Sequence, residues 1–212
     1  MEQKSYAQGE TDLWLIDNIF KDKTDGFFVD VGAHNGIRSS MTKLLEEIGW
    51  KGFCIEPNRE LFKELVNNRK CKLFNVLISN KYNQCKFLTL NGEHTNVLSS
   101  IVDLCDPRHM ERIEKECVEF NEKKNVEKRD CVSLDFIFKN EWIEHIDFLK
   151  VDTETTELDV LESINFKSVK IDYIMVECNY ELDDINNFLV DKNYDLVDKF
   201  GYCDYLYRLV SK

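Results

Sequence analysis

The chain has 212 residues, of which 43% are hydrophobic and 12% aromatic; this is enough to bury a sizeable core and excludes a disordered or low-complexity protein. The 40 acidic and 28 basic residues give a net charge of −12. Because such a surface repels phosphate and the sequence has no basic patch, nucleic acid is excluded as an expected partner. The sequence has no internal repeat and no Gly/Ser-rich linker, which predicts a single domain over residues 1–212.

No segment of the sequence suits a membrane or an oxidising compartment. No stretch approaches the roughly 20 apolar residues that span a bilayer, and residues 1–10 are polar, unlike a secretory signal. None of the eight cysteines forms a CxxC pair or stands at zinc-finger spacing from a histidine. We therefore expect a cytoplasmic protein with reduced thiols and no membrane partner.

Helical and extended patterns alternate along the chain. Leu13, Ile16 and Phe20 recur at helical spacing, whereas residues 26–31 form a short apolar run that ends at a glycine, which is typical of a buried parallel strand. Such patterns predict helices at residues 11–20, 39–48, 59–67, 107–122, 134–138, 157–164 and 182–190. They predict strands at residues 26–31, 52–55, 73–78, 85–90, 126–132, 148–151, 173–176, 194–200 and 205–210.

This alternation indicates an α/β fold with a doubly wound, largely parallel sheet. The last two predicted strands are separated by four residues only, 201–204. A parallel crossover connection does not fit into four residues, so the final pair must be antiparallel.

The carboxyl ends of the predicted strands carry most of the chemically capable side chains. In such sheets, ligands bind beyond these ends. Five of the predicted strands are the candidates for the parallel sheet: 26–31, 52–55, 73–78, 148–151 and 173–176. The segments at their carboxyl ends are 30–36, 56–58, 79–80, 152–154 and 177–179, and four of these five segments contain a carboxylate. The sequence therefore predicts a ligand site at this edge of the sheet.

The first of these segments is a glycine turn with Gly32 and Gly36. Glycine lets the backbone approach a ligand closely, but the spacing GxxxG differs from the GxGxxG fingerprint of dinucleotide sites, which disfavours a nicotinamide-dependent oxidoreductase. Glu56 ends the next strand, where a carboxylate can accept both hydroxyls of a ribose. The combination indicates a cofactor that contains a nucleoside.

Several stretches together carry a resemblance to a known family. They are YAQGETDLW (6–14), GFFVDVGAHNG (26–36), GWKGFCIEPN (49–58), DPRHMERI (106–113), HIDFLKVDTETTELDVL (145–161) and IDYIMVECNY (171–180). In this order they resemble the FkbM family of S-adenosylmethionine-dependent methyltransferases. The resemblance implies a class I methyltransferase (Rossmann-like) fold of about seven strands with the last antiparallel, preceded by an N-terminal helical extension (1–25).

The resemblance also implies which residues contact S-adenosyl-L-methionine. The glycine turn would hold the methionine part, Glu56 the ribose, and Pro57 and Asn58 the adenosine, with Ser79 and Asn80 at the adenine edge. The full implied set is Asp30, Gly32, Ala33, His34, Asn35, Gly36, Glu56, Pro57, Asn58, Ser79, Asn80 and Asp152.

Three acids are the candidate catalytic residues: Asp152, Glu154 and Glu177. They could bind Mg²⁺ or a similar divalent cation, or one of them, preferably Asp152 with a pKa raised by its neighbours, could be a general base. In a third interpretation they only cap helices and hold the cofactor. Glu157 suits that role, since it lies in the first turn of a predicted helix.

The resemblance further implies that residues 91–122 form an insertion that covers the acceptor. His109 lies in it, either facing the acceptor or on a solvated helix face, and His34 either contacts ligand or packs within its own turn. We assign Trp14, Trp50 and Trp142 to packing. The family has glycine where this chain has Thr155, and a positive φ there would strain a β-branched residue.

The predicted function is O-methylation of a hydroxyl on a sugar, glycan or small metabolite. The sugar class follows from the resemblance alone. The alternative is a catalytically silent, methyltransferase-like binding module, which the threonine at position 155 keeps open.

Overall fold

The computed structural model describes residues 4–180 and 182–210, so the first three residues of the predicted N-terminal extension lie outside it. The strands are β1 (Phe27–Val31), β2 (Lys51–Ile55), β3 (Lys72–Phe74), β4 (Leu77–Ile78), β5 (Gln84–Thr89), β6 (Ser100–Ile101), β7 (Asn125–Val132), β8 (His145–Val151), β9 (Lys170–Glu177), β10 (Tyr194–Phe200) and β11 (Asp204–Leu209).

The helices follow the predicted alternation. They are α1 (Thr11–Leu15), α2 (Lys43–Glu47), α3 (Arg59–Asn68), α4 (Pro107–Glu119), α5 (Leu134–Asn140), α6 (Glu157–Glu162) and α7 (Leu182–Asp191). A π-helical stretch, Ile16–Phe20, continues α1. None of the helices in the described part of the chain has the length and apolar character to cross a membrane.

Seven strands form the central sheet in the order β10-β11-β9-β8-β1-β2-β3. Neighbours pair in parallel, except that β11 runs antiparallel to both β9 and β10. This confirms the doubly wound sheet, the antiparallel closing pair and the class I methyltransferase fold. The strand order brings the carboxyl ends of β1, β2, β8 and β9 side by side.

The predicted strand at residues 73–78 is wrong, because it consists of two strands in different sheets. β3 ends at Phe74, and β4 pairs instead with β7 in a second sheet of order β4-β7-β5-β6. The chain leaves the central sheet at Asn75, whose side-chain amide donates to the carbonyls of Glu56 (2.7 Å) and Pro57 (3.1 Å). The buried Arg129 donates to the carbonyl and side-chain oxygens of Asn75 and fixes this exit.

Apolar layers cover both faces of the central sheet. One face packs against α5, α6 and α7 through Leu134, Val160 and Leu189. The other packs against α1, the π-helical stretch and α2, with Phe20 against Trp50. This confirms the assignment of Trp50 to packing, but not that of Trp142, which is 90% exposed because the chain turns at the end of α5 with φ +57° at this residue.

Candidate functional site

A cavity of about 300 Å³ opens at the carboxyl ends of β1, β2, β8 and β9. Its wall contains the following predicted site residues: Asp30, Gly32, Ala33, His34, Glu56, Pro57, Asp152, Glu154 and Glu177. The other predicted site residues lie outside the wall as the described residues form it; they are Asn35, Gly36, Asn58, Ser79 and Asn80. The structure therefore brings together most of the predicted site. It leaves outside the wall two residues of the glycine turn, the N-cap of α3 and two residues that follow the supposed third strand.

The glycine turn depends on both of its glycines. Gly32 has φ +86°, and a Cβ there would lie 1.6 Å from the backbone oxygen of Asp152. Gly36 has φ +79°, and a Cβ there would lie 2.5 Å from Leu65 and 2.6 Å from Arg69. Gly32 thus lets β1 approach β8 where the cavity begins, and Gly36 lets the turn pack on α3.

Arg69, which the sequence analysis missed, supports this turn from behind. Its guanidinium forms an ion pair with Glu46 and donates to the carbonyl of Gly36 (3.4 Å) and to the hydroxyl of Thr42 (3.0 Å). The hydroxyl of Thr42 in turn donates to Asp30 at 2.5 Å. An isolated arginine at the end of a helix carries no sequence signal for this role, because all of these partners come from other elements.

Glu56 is buried at the end of β2 and faces the cavity. One carboxyl oxygen accepts the backbone N–H of His34 (2.9 Å) and the other that of Asn58 (2.7 Å). Burial raises the pKa of Glu56 to about 8, against the lowering effect of these two hydrogen bonds. In the ionised carboxylate each oxygen has two lone pairs, so each oxygen then keeps one acceptor position for a ligand.

The segment after β3 places apolar residues at the cavity where polar ones were predicted. Val76, Leu77 and Ile78 line the wall, together with Phe87 of the second sheet. Asn80 instead donates from its side chain to the carbonyl of Glu162 at 3.3 Å. An apolar wall of this kind suits the faces of an aromatic base.

The three predicted acids do converge. One oxygen each from Asp152, Glu154 and Glu177 lies within 4.8 Å of the others. The ammonium of the buried Lys150 lies 3.4 Å from Asp152 and donates to Asp204 at 2.9 Å. Sequence analysis missed this lysine, although a charged residue two positions before Asp152, in the otherwise apolar predicted strand 148–151, was an available signal.

The expectation of a raised pKa at Asp152 is wrong. Burial acts to raise it, but the charge of Lys150 and a hydrogen bond from Glu177 lower the pKa of Asp152 overall. Burial and the charge of Asp152 raise the pKa of Glu177 to about 10. At neutral pH, Asp152 is therefore ionised and Glu177 protonated.

The carboxyl group of Glu154, in the cavity wall, lies beside the ring of His109. His109 is fully buried, so the interpretation of a solvated helix face is wrong. Its Nε2 lies 3.2 Å from the carbonyl oxygen of Leu98 and must donate to it, and since burial lowers the pKa of His109, a neutral ring leaves Nδ1 as an acceptor. Nδ1 lies 3.7 Å from Oε2 of Glu154, and neither atom has a hydrogen-bond partner among the residues that the structure describes.

The pKa of Glu154 lies well above its usual range. Burial is the main cause, followed by the charges of Asp152 and Glu157. Glu157 itself accepts the backbone N–H groups of Thr153 (2.8 Å) and Thr155 (3.2 Å), which agrees with a role at the start of α6.

The insertion (residues 91–122) forms one side of the cavity through Asn96, Val97, Ser99, Ile101 and Arg112. It contacts the glycine turn, since Nε2 of His34 lies 3.2 Å from Oδ1 of Asn96 and Arg38 donates to the carbonyl of Glu93 at 2.9 Å. Nδ1 of His34 is buried and has no hydrogen-bond partner within residues 4–180 and 182–210.

Comparison with known proteins adds a family and several distant structures. The family model "Methyltransferase FkbM domain" matches residues 30–207. No curated protein matches the chain significantly.

Solved structures of methyltransferases share about a tenth of the sequence. The precorrin-6y C5,15-methyltransferase of Geobacter metallireducens is 11% identical, with a TM-score of 0.48, over 98% of this chain and 91% of that one. The TrmK protein of M. capricolum, solved with S-adenosyl-homocysteine, is 12% identical, with a TM-score of 0.46, over 98% and 68%. A SAM-dependent methyltransferase of Aquifex aeolicus is 12% identical, with a TM-score of 0.43, over 96% and 93%. These similarities carry no argument about activity.

Proposed function

The chain belongs to the FkbM methyltransferase family, and from this premise we propose that it transfers the methyl group of S-adenosylmethionine to a hydroxyl of a sugar, glycan or small metabolite. Family membership supports a methyltransferase that depends on S-adenosylmethionine. The nature of the acceptor is our proposal.

The observation that carries the proposal is the pairing of Glu56 with the glycine turn at one cavity. When the buried Glu56 is ionised, each of its oxygens keeps an acceptor position for a ribose hydroxyl. Beside it, Nδ1 of His34 is a buried polar atom with no hydrogen-bond partner in the described chain, as expected where a ligand supplies the missing contact. The residues present therefore fit a nucleoside cofactor.

The bound cofactor supplies an activated methyl group on a sulfonium, so the protein has mainly to align donor and acceptor. Asp152, held ionised by Lys150, presents a negative charge to the positively charged donor. A hydroxyl acceptor must also lose a proton. Glu154 suits this step, because it lines the cavity and its Oε2 faces an acceptor nitrogen of His109.

One feature of the protein supports a hydroxyl acceptor, and another opposes RNA or DNA as the acceptor. The Glu154 carboxyl group lines the cavity, and its Oε2 has no hydrogen-bond partner in the described part of the chain, which a proton-accepting role explains. The net charge of −12 opposes the approach of a phosphate backbone.

Calorimetry with S-adenosylhomocysteine tests the cofactor site. We expect the wild-type protein to bind it, and Glu56→Gln to bind it about tenfold more weakly, because an amide offers one acceptor oxygen in place of two. Glu60→Gln, on the exposed side of α3, is the matched control and should bind like wild type. Absence of binding by wild type at high micromolar protein would refute the proposal.

We also propose that a divalent cation is not required. Lys150 already provides positive charge to the acidic cluster, because its ammonium lies 3.4 Å from Asp152. Dialysis against EDTA should therefore change the rate of methyl transfer by less than twofold. A loss of more than tenfold that Mg²⁺ restores would assign the three carboxylates to a cation instead.

A silent binding module is the second candidate, favoured by the φ of +92° at Thr155. Tritiated S-adenosylmethionine offered with a panel of monosaccharides, short glycans and hydroxylated metabolites separates the two. Cofactor binding without transfer to any of them, with and without Mg²⁺, would support the module.

A further inference from the structure

The insertion is hydrogen-bonded to the loop between β8 and α6. The hydroxyl of Ser100 donates to the carbonyl of Glu154 at 2.7 Å, and the backbone N–H of Asp106 donates to the hydroxyl of Thr155 at 3.3 Å. Two successive residues of the loop, Glu154 and Thr155, thus hold the insertion by hydrogen bonds.

The backbone of this loop is strained at both of those residues. Glu154 has φ +53° and Thr155 has φ +92°. A β-branched residue rarely adopts such a conformation, and it persists only where surrounding contacts hold it. Glycine would adopt it freely but would have no hydroxyl for Asp106. The threonine therefore adds strain and gains a contact with the insertion.

The hydrogen-bond partner of Thr155, Asp106, lies at the start of helix α4 in the insertion. Asp106 is the N-cap of α4, where its carboxylate accepts the backbone N–H of Arg108 at 2.7 Å. This helix carries His109 against Glu154 and Arg112 into the cavity wall. Thr155 is not itself in the cavity wall of the described chain, so it would act on the site only through the insertion.

We propose that Thr155 is a positioning residue whose hydroxyl fastens the insertion over the cofactor cavity and slows release of the cofactor product. The inference rests on the proposed function, since it takes S-adenosylhomocysteine as the molecule released. It assigns a role to Thr155, the position in the stretch 145–161 at which the FkbM family has glycine.

Two variants separate the hydroxyl from the shape of the side chain. Thr155→Val keeps the β-branched shape and removes the hydroxyl, whereas Thr155→Ser keeps the hydroxyl. We expect Thr155→Val to speed hydrogen–deuterium exchange of the amides of residues 92–106, measured without cofactor, by about fivefold. Dissociation of S-adenosylhomocysteine, measured by stopped-flow, should become faster by a similar factor. Thr155→Ser should remain within twofold of wild type in both measurements.

Thr155→Gly provides the second test, because it removes both the hydroxyl and the strain. We expect its thermal midpoint to be no lower than that of wild type while its insertion exchanges as fast as in Thr155→Val. This result would show that Thr155 fastens the insertion locally without raising global stability. A merely structural residue would instead lower the thermal midpoint when it is replaced.

Exchange in Thr155→Val within twofold of wild type would overturn the fastening. Faster exchange with unchanged dissociation of S-adenosylhomocysteine would overturn the control of release. Failure of the wild-type protein to bind S-adenosylhomocysteine would instead refute the proposed function, and the exchange measurement would still decide whether the hydroxyl fastens the insertion.

Discussion

Gly32→Ala is expected to abolish detectable binding of S-adenosylhomocysteine and to lower the free energy of unfolding by at least about 3 kcal/mol. The new Cβ would lie 1.6 Å from the backbone oxygen of Asp152 and 2.8 Å from its carbonyl carbon. Neither atom belongs to a flexible side chain, so β1 and β8 would have to separate at the cavity. The midpoint of thermal unfolding should fall by about 6–12 °C.

Gly201→Ala is the matched control for this prediction. Gly201 also has a positive φ, +55°, but a Cβ there meets nothing within 4 Å. We expect this variant to lose about 1 kcal/mol from backbone strain and to bind S-adenosylhomocysteine like wild type. If Gly32→Ala matched Gly201→Ala in both measurements, the close approach of the two strands would not be needed for the site.

Glu154→Gln is expected to lower kcat for methyl transfer by about 10²- to 10⁴-fold, the usual contribution of a general base. Its amide cannot take the proton of the acceptor, but it has nearly the same volume. The affinity for S-adenosylhomocysteine should change less than fivefold, because we do not place Glu154 among the cofactor contacts. Glu162→Gln, at the end of α6, should leave kcat unchanged.

The pH profile gives an independent measure of the role of Glu154. A general base acts in its ionised form, and burial holds the pKa of Glu154 well above 4.5. The rate of the wild-type enzyme should therefore rise with pH until this group has lost its proton and then level off. Glu154→Gln should lack this rise, and an unchanged profile in the variant would show that another group accepts the proton.

Local patterns were sufficient for most of the fold. The apolar run before Gly32 predicted β1, and the four residues at 201–204 required the antiparallel closing pair, because neither inference needs a partner distant in sequence. The pattern failed at residues 73–78, where the apolar run continues through the end of β3. Asn75 ends the strand by bonding the carbonyls of Glu56 and Pro57, which only the folded chain brings near.

For the site, the sequence predicted which acids lie together, but not which of them are ionised. Residue type and position at strand ends were enough to select Asp152, Glu154 and Glu177 as converging acids, since neighbouring parallel strands end at one edge. Which of these acids is ionised depended on contacts between elements. Lys150 lowers the pKa of Asp152, and the packing of α4 buries His109 against Glu154.

The linear order of residues therefore established an α/β sheet with its chemistry at one edge and a family to which it belongs. The folded chain assigned the charge states, the support of the glycine turn by Arg69 and the contact of Thr155 with the insertion. The physical reason is that hydropathy and spacing act over a few neighbouring residues, whereas burial, charge and hydrogen bonding act between side chains that are far apart in the chain.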